Sequence, residues 1–218
     1  MMVVIERHSG AVERYLRTAS PAPYVPWREA SFAVLGLEVT GPDPEHDEIG
    51  SVAWVPVERG RAIIGEASET TVRPGRLEES LDPILDALTG RVLVAHAAPV
   101  HVGFLSATLN RLGVRLRGPT LDTAVLAAWV PRRAAAEADR PQVAVDAAPG
   151  LSMAAAGMGL PVHRPHQASG EAASGEALTA AQLFMALASH LDQVHPQSVG
   201  SLARLCSKNG DCNRGASR

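Results

Sequence analysis

Lysine is almost absent from this sequence, cysteine is scarce, and no long apolar run occurs. The 218 residues include two cysteines, Cys206 and Cys212, which have five residues between them near the C-terminal end. Without a second cysteine pair the chain cannot form a four-cysteine zinc site, and a lone disulfide is not expected in a reducing compartment. We therefore expect both cysteines to be free thiols on a mobile C-terminal segment.

No apolar run approaches the roughly 20 residues that cross a bilayer. The sequence begins MMVVIERHSG, in which Glu6 and Arg7 interrupt a short apolar stretch. This pattern is not typical of a secretory signal. We expect a cytoplasmic location and no membrane partner.

The charge balance differs from that of a strongly basic nucleic-acid-binding protein. The formal net charge is −3, and Lys208 is the one lysine among 20 basic residues. Arginines nevertheless cluster in one stretch, which forms either a positive surface for phosphates or an ordinary solvated region. The cluster comprises Arg111, Arg115, Arg117, Arg132, Arg133 and Arg140.

The pattern of apolar residues predicts one α/β domain with a mixed sheet covered by helices. Predicted strands span Ser31–Val39, Ile49–Val57, Arg61–Val72 and 92–95, and the main predicted helices span 77–88, Pro99–Leu112 and Ala177–Leu191. Residues 1–30, rich in proline at their end, are interpreted as an N-terminal extension. Residues 31–195 form the expected domain, and residues 196–218 are expected to be a disordered tail.

Four strings in this order are typical of one enzyme family. They are VLGLEVTG, VLVAHAAPVHVGFL, LDTAVLA, and LGLPVHRPH followed by EALTAAQLFMAL. Together they cover roughly residues 31–192 and resemble the DEDD-type (DEDDh) 3′→5′ exonucleases, which include the proofreading epsilon subunit of bacterial DNA polymerase III. The resemblance implies an RNase H-like fold, with a mixed five-stranded sheet and helices on both faces. It also implies metal-dependent hydrolysis of nucleic-acid phosphodiesters.

The resemblance implies two Mg²⁺ or Mn²⁺ ions, which need several carboxylate oxygens as ligands. The first motif of the family carries two acids on one strand face, and here those positions are Gly36 and Glu38. Glu38 is either a surviving metal ligand or a solvated acid at a strand end. Thr40 matches the threonine of the family motif and is implied as a nucleic-acid contact.

The second motif of the family ends in an aspartate at the start of a helix, and His101 stands at that position here. Imidazole is a poor substitute for a carboxylate on Mg²⁺ but can bind Mn²⁺ or Zn²⁺. His101 is therefore either an unusual metal ligand or a structural histidine at a helix N-terminus. For His96, at the end of a strand, we expect a structural hydrogen bond.

The third motif of the family places a general-base histidine before an aspartate. His166 matches the base, and a duplicated ASGEA string supplies two candidate acids, Glu171 and Glu176. Counting forward from His166 selects Glu171, whereas counting back from Phe184 selects Glu176. Five residues on a helix span about 7.5 Å, so the two cannot fill one ligand position.

Two functional hypotheses follow from these replacements. In the first, the chain is an exonuclease in which Glu38 and one of Glu176 or Glu171 together bind a metal ion and His166 activates water. In the second, it is a non-catalytic module that binds single-stranded DNA or RNA, or a protein partner. We expect hydrolysis to be weak or lost. The expected nucleic-acid contacts are Thr40, Arg111, Arg115, Arg132 and Arg133.

Overall fold

A six-stranded mixed sheet forms the centre of the protein. The structure, a computed structural model, describes residues 9–41, 43–73, 76–130, 150–163 and 172–208. The strands are β1 (Ser31–Val39), β2 (Ile49–Glu58), β3 (Arg61–Ala62), β4 (Ser68–Thr71), β5 (Val92–Ala95) and β6 (Thr120–Asp122). Five strands were expected. The predicted strand over Arg61–Val72 is interrupted by a 3-10 turn at Ile64–Glu66, and it therefore forms two short strands.

The strand order is β3-β2-β1-β5-β6, with β4 also paired to β2. β1 runs antiparallel to β2 and parallel to β5, and β5 runs parallel to β6. Because β1, β5 and β6 point the same way, their carboxyl ends meet at one edge of the sheet. Residues that follow these strands are therefore brought together there.

Helices cover both faces of the sheet, as expected. They are α1 (Gly10–Arg17), α2 (Leu81–Leu88), α3 (Ala98–Arg111), α4 (Thr123–Ala128), α5 (Leu151–Gly157), α6 (Ala172–Val194) and α7 (Val199–Lys208). Side chains alternate along β1, so that Phe32 and Val34 face the core under α4 to α7. Leu35 and Leu37 face the second core, under α1 to α3.

The expectation of a disordered segment from residue 196 is wrong for residues 199–208. These residues form α7, whose Val199, Leu202 and Cys206 are buried at one helical face. Their spacing of three and four residues is that of an amphipathic helix. Cys206, expected on a mobile segment, is instead buried in the core, where its Sγ accepts the backbone N–H of Asp122 at 3.3 Å, and Cys212 lies outside the described residues.

The N-terminal segment packs into the same structure. The backbone N–H of Trp27 donates to the carbonyl of Gln197 (3.1 Å), and the backbone N–H of Gly200 donates to the carbonyl of Pro23 (2.8 Å). The Trp27 ring meets Phe184 of α6 edge-on at 6.1 Å between ring centroids. Residues 23–27 and the start of α7 therefore support each other, and the proposed boundaries at 31 and 195 do not separate independent parts of the described structure. No helix among the described residues is long and apolar enough to span a membrane.

Candidate functional site at the ends of the parallel strands

Three ionisable side chains lie where the parallel strands end and α6 crosses them. Glu38 lies near the end of β1, His101 lies in the first turn of α3 after β5, and Glu176 lies near the start of α6. We call these three residues the strand-end site. The sheet topology explains why His101 and Glu176, which are distant in sequence, come within 3.4 Å of each other.

Gly36 is covered directly by the backbone of α6. A Cβ atom built at Gly36 would lie 2.2 Å from the carbonyl oxygen of Ala173 and 2.8 Å from the nitrogen of Ala177. Real Cβ atoms essentially never approach other atoms within 3.0 Å, and backbone atoms cannot rotate away. Position 36 therefore cannot carry a carboxylate unless α6 shifts.

Glu176 makes two contacts across this helix–strand junction. Its Oε2 accepts a hydrogen bond from the backbone N–H of Leu37 at 3.1 Å. β5 pairs with β1 only as far as Val34, so the N–H of Leu37 lies beyond that pairing. The Oε1 atom of Glu176 lies 3.4 Å from Nε2 of His101. Glu176 thus joins α6 to β1 and to α3.

His101 is 3% exposed, and among the described residues neither of its ring nitrogens makes a hydrogen bond. The Oε1 atom of Glu176 faces its Nε2 at 3.4 Å. Buried polar nitrogens without hydrogen bonds are costly, at about 1–3 kcal/mol each. The structure thus places His101 in a helix first turn, as expected, but without the hydrogen bonds of an ordinary structural histidine.

Glu38 is held by the neighbouring strand. The hydroxyl of Ser51, its partner across the β1–β2 pair, donates to Glu38 Oε2 at 3.2 Å. Among the described ranges, no cluster of three or more histidine, cysteine, aspartate or glutamate side chains is arranged to hold a metal ion. In the strand-end site the carboxylate of Glu176 therefore faces His101, and the carboxylate of Glu38 accepts a hydrogen bond from Ser51. The two carboxylates are not arranged around one ion.

Asp122 is the important residue that the sequence analysis missed. Its carboxylate accepts three backbone N–H groups, from Ala97 (3.1 Å), Ala98 (3.0 Å) and Ala124 (2.8 Å). Ala97 adopts a left-handed conformation (φ 55°) just before α3. Asp122 thereby holds the backbone turn at Ala97 and Ala98 that begins α3, the helix that carries His101. Its place before a helix, in LDTAVLA, is the signal of an N-cap residue that could have identified it.

The expected structural role of His96 is confirmed. Its Nδ1 lies 2.9 Å from the hydroxyl of Thr123, and both residues are buried. Thr123 also reaches the carbonyl of Ala95 at 3.4 Å. These contacts join the ends of β5 and β6 behind the strand-end site.

The residues expected to contact nucleic acid do not converge on the strand-end site. The Thr40 hydroxyl donates to Asp47 at 3.1 Å and accepts from the backbone N–H of Glu48 at 3.0 Å, so it holds its own loop. Arg111 and Arg115 are exposed at the far end of α3. Ten residues of helix separate Arg111 from His101, about 15 Å along the axis. Arg132, Arg133, His166 and Glu171 lie outside the described residues.

Comparisons with known proteins agree with this architecture. No family model matches the sequence. A DNA polymerase III subunit epsilon-like protein of Rhodobacter capsulatus is 31% identical over 128 residues, which is 48% of this chain and 18% of that protein. A DNA polymerase III of PolC type from Thermotoga petrophila is 27% identical over 124 residues, 46% of this chain and 9% of that protein. The chain thus matches less than a fifth of the length of each relative.

Solved structures share the fold of this chain. E. coli Exonuclease I in complex with a dA16 oligonucleotide aligns with a TM-score of 0.54 and 12% identity, over 76% of this chain and 42% of that one. Brucella melitensis NrnC with bound Mg²⁺ aligns with a TM-score of 0.51 and 15% identity, over 81% and 80% of the two chains. In sequence over about half of its length, and in fold, the chain is similar to these proteins, which agrees with the resemblance to the DEDD-type 3′→5′ exonucleases.

The described residues do not fit the two-metal centre of the DEDD-type exonucleases. One family carboxylate position, Gly36, is closed by α6, and a second is the imidazole of His101. The two remaining acids are each engaged by a group of the chain itself, Glu176 by the Leu37 N–H and Glu38 by Ser51. Two Mg²⁺ ions need more carboxylate oxygens than this arrangement supplies.

Proposed function

We propose that this chain binds single-stranded nucleic acid on the exonuclease fold, and that its own phosphodiester hydrolysis is weak or lost. The observation that carries the proposal is the contact between α6 and β1 at Gly36, where a Cβ atom would lie 2.2 Å from the backbone of Ala173. Position 36 itself cannot carry a carboxylate unless α6 moves, because the backbone of α6 occupies the space of the Cβ atom.

The arrangement of Glu176 supports the same proposal. In a metal-dependent site a carboxylate must direct its oxygens to the ion. Here Oε2 accepts the Leu37 N–H, and Oε1 faces His101. Metal charge supplies several kcal/mol of transition-state stabilisation in phosphoryl hydrolysis, so a site without it should be slower by orders of magnitude.

Binding of nucleic acid is supported by the shared fold and by exposed arginines. Exonuclease I of E. coli, with which this chain shares its fold, has been solved with dA16 and dT13 oligonucleotides. Arg111, the last residue of α3, and Arg115, four residues beyond it, are exposed and can attract phosphates, although Arg111 also donates a hydrogen bond to the Thr108 hydroxyl at 3.3 Å. Arg111 also lines a hollow with Glu45 and Asp47, whose negative charge opposes phosphates. We therefore expect modest, salt-sensitive affinity.

The test is fluorescence anisotropy of labelled single-stranded DNA and RNA with the full chain, in EDTA and in Mg²⁺. The expected result is binding of similar strength in both, weakening as salt rises. The double variant Arg111→Gln, Arg115→Gln should bind more weakly. The matched control is Arg204→Gln, which removes an exposed arginine from α7 on the opposite side of the sheet.

Absence of binding to both DNA and RNA would reject the nucleic-acid proposal and favour a protein partner. Binding that requires Mg²⁺ would also count against it, since the proposal involves no metal.

A cytoplasmic location of the protein remains a prediction.

A further inference from the structure

The contact between His101 and Glu176 is the most unusual feature of the strand-end site. A buried imidazole with no hydrogen bond among the described residues faces a carboxylate oxygen at 3.4 Å. The His101 side chain is 4% exposed and that of Glu176 is 26% exposed, so water screens the contact poorly. Electrostatic effects between these two positions should therefore be large.

Charge explains why an imidazole suits this position. Two carboxylates a few ångströms apart repel each other unless a cation lies between them. The imidazole of His101 adds no negative charge beside Glu176, and it can present an N–H towards Oε1. We propose that His101 replaces divalent metal as the partner of Glu176, so that the chain holds α6 against β1 without a bound metal ion.

Two independent contacts connect this pair to the position of α6. The Oε2 atom of Glu176 is hydrogen-bonded to the N–H of Leu37 in β1. The backbone of α6 at Ala173 and Ala177 lies directly on Gly36. Repulsion at Glu176 would push α6 away from the strand and would weaken both contacts. The residue at position 101 therefore controls how closely α6 packs.

The inference rests on the proposed loss of the two-metal site and specifies what took its place. It also predicts how a metal requirement can be restored. An aspartate at position 101 would set a second carboxylate against Glu176, with Glu38 on the same face of β1 as α6. That variant should need a divalent cation to reach full stability.

The experiment is thermal unfolding of the full chain, the variant His101→Asp and the variant His101→Asn, each in EDTA, Mg²⁺ or Mn²⁺. Asparagine matches aspartate in shape but carries no charge, so the difference between the variants isolates the added carboxylate. We expect the wild-type Tm to be the same in all three solutions. In EDTA, His101→Asp should melt about 5 °C or more below His101→Asn. Mn²⁺ should restore most of that difference for His101→Asp alone.

Two results would overturn the inference. One is a saturable rise in the wild-type Tm with Mn²⁺ that disappears in Glu176→Gln, because His101 and Glu176 would then be ligands of a metal. The other is equal stability of the two variants in EDTA. Either result can occur while the chain still binds oligonucleotides without cleaving them, so failure here is distinguishable from failure of the proposed function.

Discussion

The substitution Gly36→Ala tests the closure of the site by adding one methyl group. In a strand, replacing glycine by alanine ordinarily stabilises a protein by about 0.5–1 kcal/mol, because the unfolded chain loses freedom. At Gly36 the added Cβ would lie 2.2 Å from Ala173 O and 2.8 Å from Ala177 N. Both atoms belong to the backbone of a 23-residue helix packed on the sheet, so relief requires moving α6.

We expect Gly36→Ala to lower the free energy of unfolding by about 2–3 kcal/mol, the upper range for overpacking in a dense core. The assay is urea denaturation followed by circular dichroism. The matched control is Gly50→Ala in β2, where the nearest atom to an added Cβ is the carbonyl oxygen of Glu38 at 3.6 Å, an ordinary contact. This control should be as stable as wild type or slightly more so. Equal stability of the two variants would refute the argument that α6 closes position 36.

Three further predictions concern elements around the site. Asp122→Ala should cost about 3 kcal/mol or more in urea denaturation, because three backbone N–H groups lose their acceptor, and Asp122→Asn should cost less. Leu202→Ala should cost about 3 kcal/mol, because that side chain is fully buried, whereas an unchanged urea midpoint would mean that α7 does not pack. Burial raises the pKa of Tyr15, so the unfolded chain loses that proton first and stability should fall as the pH rises past about 10. Tyr15→Phe should lack this alkaline loss, whereas the exposed control Tyr24→Phe should keep it.

The strands and helices whose apolar residues recur at one regular spacing were predictable from the sequence. The apolar run Ser31–Val39 is β1 with the predicted bounds, and the amphipathic pattern of Ala177–Leu191 lies inside α6. The start of α6 at Ala172 was missed, because the duplicated ASGEA string carries no strong apolar period. α7 was missed because residues 196–218 are mostly polar when taken together. The few apolar residues at the start of this segment, the buried Val199, Leu202 and Cys206, were not recognised as one face of a helix.

The sequence drew attention to Glu38, His101 and Glu176 but not to the contacts they make, and their role as a functional site stays a prediction. Counting back from Phe184 selected Glu176, and the structure places Glu176 against β1 and His101, whereas Glu171 lies outside the described residues. The sequence showed that Gly36 lacks a carboxylate. It could not show that α6 fills the space, because that distance depends on how a distant helix packs on the sheet.

The most direct test of the central claim is a single-turnover assay on 5′-labelled single-stranded DNA and RNA, with enzyme in excess and with Mg²⁺, Mn²⁺ or EDTA. The account predicts that each strand stays intact at an enzyme concentration at which anisotropy shows it to be bound. Metal-dependent shortening from the 3′ end that is abolished by Glu38→Gln or Glu176→Gln would contradict it, because these carboxylates would then hold a working metal centre.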